Sequence, residues 1–212
     1  HRLLRILEAI AEHIPSVERV TSYCLPRNLK RKSVEELKEL REAGLAMLYV
    51  GAESGDDEVL ERVNKGETAA STADALIKAG EAGLKRSVMI LNGLGGLSLS
   101  KQHALNSARL LNQTQPEFVS TLVVSFPQGM ERFRERYPDF VELNQQQLFS
   151  ELRQFVAELA LDNSTFRSDH ASNALVLKGE LGQDKDRLLA QIDHAISRPD
   201  QAGLRPEWMR GL

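Results

Sequence analysis

A carboxylate and a hydroxyl stand side by side where an apolar strand ends, in the stretch Leu48–Gly66. Met47–Val50 predicts a short buried strand, and the turn Gly51–Gly55 after it is too small and flexible to pack as core. That turn carries Glu53 and Ser54. Because ligands of parallel α/β sheets bind at the carboxyl ends of the strands, these two side chains could bind the hydroxyl groups of a ribose or another polyol.

Two further segments lie where helices and strands end. Lys65 follows a predicted helix, where a lysine is also favoured by the negative end of the helix dipole. The third predicted strand leads into the glycine-rich turn that contains Asn92, Gly93 and Gly95. Glycine permits close backbone approach to a planar ligand, although a plain strand-to-helix turn also favours it. The spacing matches neither GxGxxG nor a P-loop, so it does not indicate phosphate binding.

Two histidines are candidates for contact with a substrate or cofactor. His103 is predicted one turn into a helix that Ser100 caps, where the neutral ring could hydrogen-bond or transfer a proton. A surface or interface position for His103 is the preferred interpretation. His170 and Asn173 lie in the polar segment FRSDHASN. That segment could contact substrate or cofactor, or it could tie the C-terminal part of the chain across the sheet.

The elements that position these residues alternate between strand and helix, which is typical of parallel βαβ units. The sequence therefore predicts an α/β fold with about four parallel strands and helices packed on them. The chain divides into residues 1–127, which carry the strands, and 128–212, a mainly helical C-terminal extension with a mixed polar segment at 163–182. The four predicted strands are Val17–Tyr23, Met47–Val50, Lys85–Leu91 and Phe118–Phe126.

Composition excludes several classes of function. The 212 residues are 27% charged with a net charge of −3, which gives no signal for nucleic-acid binding. No apolar run approaches the roughly 20 residues of a membrane span. The single cysteine, Cys24, excludes an internal disulfide and fits the reducing cytoplasm. It also excludes a multi-cysteine metal or iron–sulfur site built from this chain alone.

The segment RKSVEELKELREAGLAMLYVGAESGDDEVLERVNKGETAASTADALIKAGEAGLKRSVMILNGLGG resembles the second half of a radical S-adenosylmethionine core domain. It is most similar to the bacterial "Fe-S oxidoreductase" proteins, which are known mainly by sequence. The resemblance rests on a strand, GAESG, a KG break and GLGG in that order. It continues through KQHALNSARLLNQTQPEFVSTL and FRSDHASNALVLKGEL, so it covers most of the chain.

The resemblance implies a partial (β/α)6 barrel that binds S-adenosylmethionine and a [4Fe-4S] cluster. In this family the reduced cluster cleaves S-adenosylmethionine to a 5′-deoxyadenosyl radical, which takes hydrogen from a substrate. An electron donor and a small-molecule or macromolecular substrate are therefore implied as partners. Carried over to this sequence, the resemblance places Glu53 and Ser54 near the ribose and Lys65 near the methionine carboxylate. It places the glycine-rich turn Asn92–Gly96 near the adenine.

The sequence departs from the family because its CxxxCxxC motif and its Gly-Gly-Glu motif are absent, and Cys24 stands alone. We interpret the chain as the C-terminal part of the core, with its strands the third to sixth of six. It is therefore expected to be inactive by itself and to hold no metal. On this interpretation Val17–Tyr23 is an open edge, and Glu53 and Asn92 face one cleft. The alternatives are a cluster-free lyase or aldolase, and a non-catalytic barrel that serves as a binding or scaffold subunit.

Overall fold

The computed structural model describes residues 2–211 and contains one sheet with helices packed on it. The strands are β1 Val20–Cys24, β2 Leu45–Glu53, β3 Lys85–Asn92, β4 Phe118–Val123, β5 Thr165–Ser168 and β6 Leu177–Glu180. The helices are α1 Arg2–His13, α2 Pro26–Lys30, α3 Val34–Glu42, α4 Asp57–Arg62, α5 Ala69–Glu81, α6 Gly96–Thr114, α7 Glu131–Arg134, α8 Gln145–Glu158 and α9 Leu181–Ser197. Two short 3-10 turns follow, Pro199–Gln201 and Glu207–Met209.

The helix ends follow the local sequence. Ser33 and Glu36 form a capping box at the start of α3, since each side chain accepts from the other residue's backbone N–H. Gly44 and Gly83, which follow α3 and α5, have φ angles of 107° and 76°. Glycine adopts this left-handed conformation without a steric cost, so it ends both helices.

The sheet order is β1-β2-β3-β4-β5-β6, with β1 to β5 parallel and β6 antiparallel to β5. The predicted α/β class and parallel sheet are confirmed, and the sheet does not close into a barrel. Among the described residues β1 pairs only with β2, so the predicted open edge is present. Because its strands run in parallel, β2, β3 and β4 present their carboxyl ends at the same edge of the sheet.

The sheet has two strands more than the sequence predicts, and both lie in the segment interpreted as mixed polar, 163–182. β5 pairs with β4 through Thr165, Phe166 and Arg167, and β6 folds back on β5. Each of these strands has only four residues, of which one carries a large apolar side chain, Phe166 in β5 and Leu177 in β6. The C-terminal extension is therefore part of the sheet, and the predicted boundary at residue 127 falls in the irregular segment between β4 and α7.

The hydrophobic core lies between the sheet and the helices on one of its faces. Leu48, Val50 and Ala52 alternate along β2 and are all buried in this core. Helices α5, α6, α8 and α9 cover it, with these fully buried residues at its centre: Leu76, Leu111, Val156, Leu188 and Ile192. No helix of residues 2–211 is long and apolar enough to cross a membrane.

Helix α6 begins earlier than the sequence predicts. It starts at Gly96, directly after Gly95, rather than at Gln102, so Ser100 lies inside the helix and is not its cap. The glycines made this stretch resemble an open turn, but Gly95 itself serves as the N-cap residue. The shift matters for the site, because Ser100 and His103 are then interior positions of a long helix.

Candidate active site

Glu53 ends β2 in a strained conformation at the carboxyl edge of the sheet. Its φ angle is 67°, which is rare for a residue with a side chain. Its Oε1 accepts a hydrogen bond of 3.0 Å from Nζ of Lys65, and both side chains are largely buried. A Cβ atom on Gly51 would stand only 2.4 Å from that oxygen, so the missing side chain of Gly51 is what makes room for the carboxylate.

The backbone of Lys65 is held by helix α2. The guanidinium of Arg27 donates from Nη2 to the carbonyl oxygen of Lys65 at 2.7 Å, and its Nε pairs with Glu67 at 3.1 Å. The backbone N–H of Arg27 donates to the same carboxylate. The Glu53–Lys65 ion pair is here called the acid–base corner. It lies where α2, which follows β1, holds the segment after α4.

Ser54 is fully buried, in contrast to the flexible turn that the sequence predicts. Its Oγ lies 2.8 Å from Nδ1 of His103 and accepts a 3.0 Å hydrogen bond from the backbone N–H of Asp56. The N–H of Gly55 donates to Oγ of Ser107 at 2.9 Å. The turn is thus packed closely against α6, and the hydroxyl of Ser54 is hydrogen-bonded within the chain.

Asp56 is the N-cap of α4, and its carboxylate also accepts hydrogen bonds from two side chains of α6. Its Oδ1 accepts from the N–H of Val59 at 3.0 Å, and its Oδ2 accepts from Nδ2 of Asn106 at 2.6 Å. Gln102 also donates to the carboxylate. Burial alone would raise the pKa of Asp56, but these hydrogen bonds outweigh it and hold the pKa below its ordinary value of 3.8.

The pH dependence of the unfolding free energy of an Asp56→Asn variant tests these hydrogen bonds to the Asp56 carboxylate. Because the folded-state pKa of Asp56 is lowered, its carboxylate stabilises the fold above the unfolded pKa, and this contribution is lost as pH falls through the folded value. The variant should be less stable than the unaltered chain by about 1 kcal/mol at pH 7. The difference should shrink below pH 4, as measured by urea unfolding. A difference that stays constant down to pH 2 would contradict this assignment.

The glycine-rich turn after β3 faces the chain's own helices. The side-chain amide of Asn92 donates to the carbonyl oxygen of Leu148 in α8, and the N–H of Gly93 donates to Glu151. A Cβ on Gly95 would collide with His103 and the backbone of Leu99. Packing inside the chain therefore accounts for Gly93 and Gly95 without a ligand.

Glu53 and Asn92 both lie at the carboxyl edge of the sheet, as expected. Their side chains do not face one cleft, which corrects the expectation from the sequence. The Glu53 carboxylate lies over Gly51, on the face opposite to Val50 and Ala52, whereas Asn92 points towards α8. The bulge that the pairing register shows between Gly51 and Glu53 gives Glu53 this separate orientation.

His103 is buried, with 1% of its surface exposed, so the preferred surface interpretation is wrong. Because α6 begins at Gly96, His103 lies on its third turn, against the sheet, and Nε2 is 3.0 Å from the carbonyl oxygen of Leu91. Glu151, a carboxylate that lies close to His103 and is equally buried, is not among the candidates predicted from the sequence. A signal was available, because Glu151 interrupts the apolar face of α8 that includes Leu148, Leu152 and Phe155.

His170 and Asn173 lie in the turn between β5 and β6. Asn173 is buried and donates from Nδ2 to the carbonyl oxygen of Thr121 at 2.7 Å. His170 accepts the N–H of Ser172 on Nδ1, and Arg205 binds the carbonyl oxygen of His170. These contacts match the second of the two alternatives, in which this segment ties the C-terminal part of the chain to the sheet.

The residues present do not fit an iron–sulfur cluster. Cys24 is the only cysteine, and burial raises its pKa to about 11, whereas a cluster ligand must be a thiolate. Residues 2–211 contain no group of three or more histidine, cysteine or acidic side chains that could hold a metal ion.

Comparison with known proteins agrees with this fold. Methylornithine synthase (PylB) is similar with a TM-score of 0.53 and 19% identity, over 76% of this chain and 44% of that one. The archaeal Methanocaldococcus infernus Elp3, with an N-terminal deletion, is similar with a TM-score of 0.60 and 15% identity, over 89% of this chain and 49% of that one.

These identities establish a shared fold alone, and the chain spans less than half the length of both structures. No curated protein sequence matches the chain. The family model for the Radical SAM superfamily matches residues 1–111, which is just over half of the 212 residues. The chain therefore belongs to the radical SAM superfamily.

Proposed function

We propose that this chain supplies the wall of a radical S-adenosylmethionine enzyme that holds the nucleoside part of the cofactor. Membership of the superfamily implies S-adenosylmethionine and a [4Fe-4S] cluster as cofactors. The whole protein would cleave S-adenosylmethionine reductively and act on a small-molecule or macromolecular substrate. Since the residues of this chain do not fit the cluster, its ligands and the electron transfer are assigned to parts of the protein outside residues 1–212.

The observation that carries the proposal is the acid–base corner at the carboxyl edge of β2. Within the described residues, Oε1 of Glu53 accepts from Lys65 while Oε2 accepts no hydrogen bond. A carboxylate oxygen that accepts from a ribose hydroxyl makes a charge-assisted hydrogen bond. The strained backbone of Glu53 supports the same interpretation, because rare conformations of this kind cluster at functional sites.

The other residues act around this corner. Lys65 keeps donors beyond the one that binds Glu53, and we assign these to the carboxylate of the methionine part. Ser54 acts indirectly, because its hydroxyl fixes the turn that presents Glu53. The turn Asn92–Gly96 forms the neighbouring wall, beside the adenine, through its backbone rather than through the amide of Asn92.

The remaining assignments follow from the family. The partners of the whole protein would be an electron donor and a small-molecule or macromolecular substrate. The single cysteine supports a reducing compartment, and we assign the protein to the cytoplasm.

A Glu53→Gln variant is expected to bind S-adenosylhomocysteine about tenfold more weakly, because a charge-assisted hydrogen bond contributes roughly 1.4 kcal/mol more than a neutral one. Isothermal titration calorimetry on the 212-residue chain measures this directly. Glu61→Gln is the matched control, since Glu61 is exposed on the neighbouring helix α4. Equal affinity of Glu53→Gln and Glu61→Gln would show that the acid–base corner does not bind the nucleoside.

Binding selectivity separates this function from its alternatives. The proposal predicts that adenosine competes with S-adenosylhomocysteine for the site. A lyase that uses no nucleoside would bind its carboxylate substrate, and adenosine would not compete with it. A scaffold protein with no ligand site would bind none of these compounds.

A further inference from the structure

Glu151 is a buried carboxylate on α8, in the part of the chain beyond the core strands β1 to β4. Only 1% of its surface is exposed. Oε1 accepts from the N–H of Gly93 at 2.6 Å, and Oε2 accepts from the hydroxyl of Ser100 at 2.6 Å. Burial raises the pKa of Glu151, while His103 and these two donors oppose the rise.

Burial of a carboxylate at this position lowers the stability of the fold. Replacement of buried ionic groups by apolar residues of similar volume is often neutral or stabilising. The neighbours of Glu151 on the same face of α8 are Leu148, Leu152 and Phe155, and an apolar side chain would continue that face. Stability of the core does not by itself explain a glutamate here.

His103 lies on α6, the helix that Ser100 ties to Glu151, and it connects this helix to the second turn. Nε2 lies 3.9 Å from Oε1 of Glu151 and 3.0 Å from the carbonyl oxygen of Leu91. Since that carbonyl can only accept, Nε2 carries a proton. In the neutral ring Nδ1 then accepts from Oγ of Ser54 at 2.8 Å, and Ser54 accepts from the N–H of Asp56.

One side chain on α8 therefore reaches the turns after two neighbouring strands. Glu151 holds Gly93 after β3 directly, and through Ser100 it holds α6, whose His103 bonds Ser54 after β2. We propose that Glu151 is a positioning residue that fixes the spacing between these two turns, so that a nucleoside is bound between defined walls. The proposal rests on the proposed function, which places both turns on S-adenosylmethionine, and it assigns a role in that site to the C-terminal part of the chain.

Two substitutions of Glu151 separate positioning from packing. Glu151→Met keeps the volume and removes both acceptors, whereas Glu151→Gln keeps an acceptor for Gly93 and a hydrogen-bonding group for Ser100. Ser150→Ala is the matched control, because the hydroxyl of Ser150 only bonds Gln146 within α8. We expect about tenfold weaker binding of S-adenosylhomocysteine to Glu151→Met, equivalent to the loss of roughly 1.4 kcal/mol. Glu151→Gln should restore most of the affinity, and the control should match the unaltered chain.

A second measurement needs no ligand. Amide resonances in ¹⁵N-labelled chain report the two turns separately, and both substitutions of Glu151 are expected to shift Gly93 as well as Ser54 and Asp56. The isosteric Glu151→Gln variant keeps this test valid if the methionine variant does not fold.

The outcomes separate a failure of the positioning role of Glu151 from a failure of the proposed nucleoside binding. Shifts confined to Gly93, with equal affinity in all folded variants, would overturn the positioning role while leaving the proposed function in place. Failure of the unaltered chain to bind S-adenosylhomocysteine would overturn the proposed function and, with it, the role of Glu151. Shifts in both turns together with weakened binding that glutamine restores support the proposal.

Discussion

A Gly55→Ala variant should lose about 2–4 kcal/mol of unfolding free energy, because the added methyl group has no space. A Cβ on Gly55 would lie 2.4 Å from the carbonyl oxygen of Asn106 and 2.7 Å from Cα of Ser107. These are backbone atoms of α6 and cannot move aside independently. The turn must therefore lift from the helix, which also breaks the 2.9 Å hydrogen bond from Gly55 to Ser107. Thermal unfolding should shift downward by roughly 6–12 °C.

Gly51→Ala is the matched control for Gly55→Ala, since Gly51 lies in β2 four residues earlier. Its Cβ would meet Oε1 of Glu53 at 2.4 Å, the end of a flexible side chain that can rotate away. We expect little change in stability but weaker nucleoside binding, because the carboxylate of Glu53 is displaced. Equal melting temperatures for Gly55→Ala and the unaltered chain would contradict the close packing of this turn.

The second large effect is expected from Arg86→Met at the opposite end of β3. Arg86 is buried and pairs with both carboxylate oxygens of Glu117 at 3.1 and 2.7 Å. Its guanidinium also donates to the carbonyl oxygens of Leu76, Thr114 and Gln115. Methionine would remove all of these guanidinium donors and leave Oε1 of Glu117 and the carbonyl oxygens of Thr114 and Gln115 without this partner. We therefore expect a loss of about 3–5 kcal/mol in urea unfolding.

Arg153→Met is the matched control, because Arg153 also pairs with a carboxylate, that of Asp193, but both side chains are substantially exposed. Its effect should be far smaller, since exposed ion pairs contribute little to stability.

The pKa of the Glu117 carboxyl reports on the same interaction with Arg86. Burial alone would raise the pKa of Glu117, but the hydrogen bonds from Arg86 hold it below its usual range. Similar losses for the two arginine variants would contradict the structural role of Arg86.

Local signals explain which elements the sequence predicts well. Ser33 with Glu36 and Asp56 with its following helix are short-range capping patterns, and the structure contains both. The alternation of strands and helices in the first 123 residues is equally local. It predicts the parallel order of β1 to β4 because each connection is a helix.

Long-range packing decides what the sequence does not predict. β5 is a four-residue strand that exists because its backbone pairs with β4, and no local pattern requires it. Helices pack against Gly93 and Gly95 and leave no room for a side chain at either position. The helix against Gly93 is α8, which is distant in sequence, and the one against Gly95 is α6, which begins earlier than the sequence predicts. The orientation of Asn92 depends on α8 in the same way.

The candidate site shows the same division. Glu53 and Lys65 are found from the sequence because they end a strand and a helix, and the structure brings them within 3.0 Å. Ser54 and His103 are each identified as candidates, but their contact joins residues 49 positions apart and turns both inward. Glu151 interrupts an apolar helix face, which is a local signal, but its partners Gly93 and Ser100 are more than 50 residues away and are known only once the helix is placed.

A crystal structure of the 212-residue chain with S-adenosylhomocysteine tests the central claim most directly. The account predicts that a ribose hydroxyl lies within hydrogen-bonding distance of the Glu53 carboxylate, with the nucleoside at the carboxyl edge of β2 and β3. A nucleoside bound elsewhere, with the Glu53–Lys65 ion pair unchanged and solvent beside it, would contradict the account.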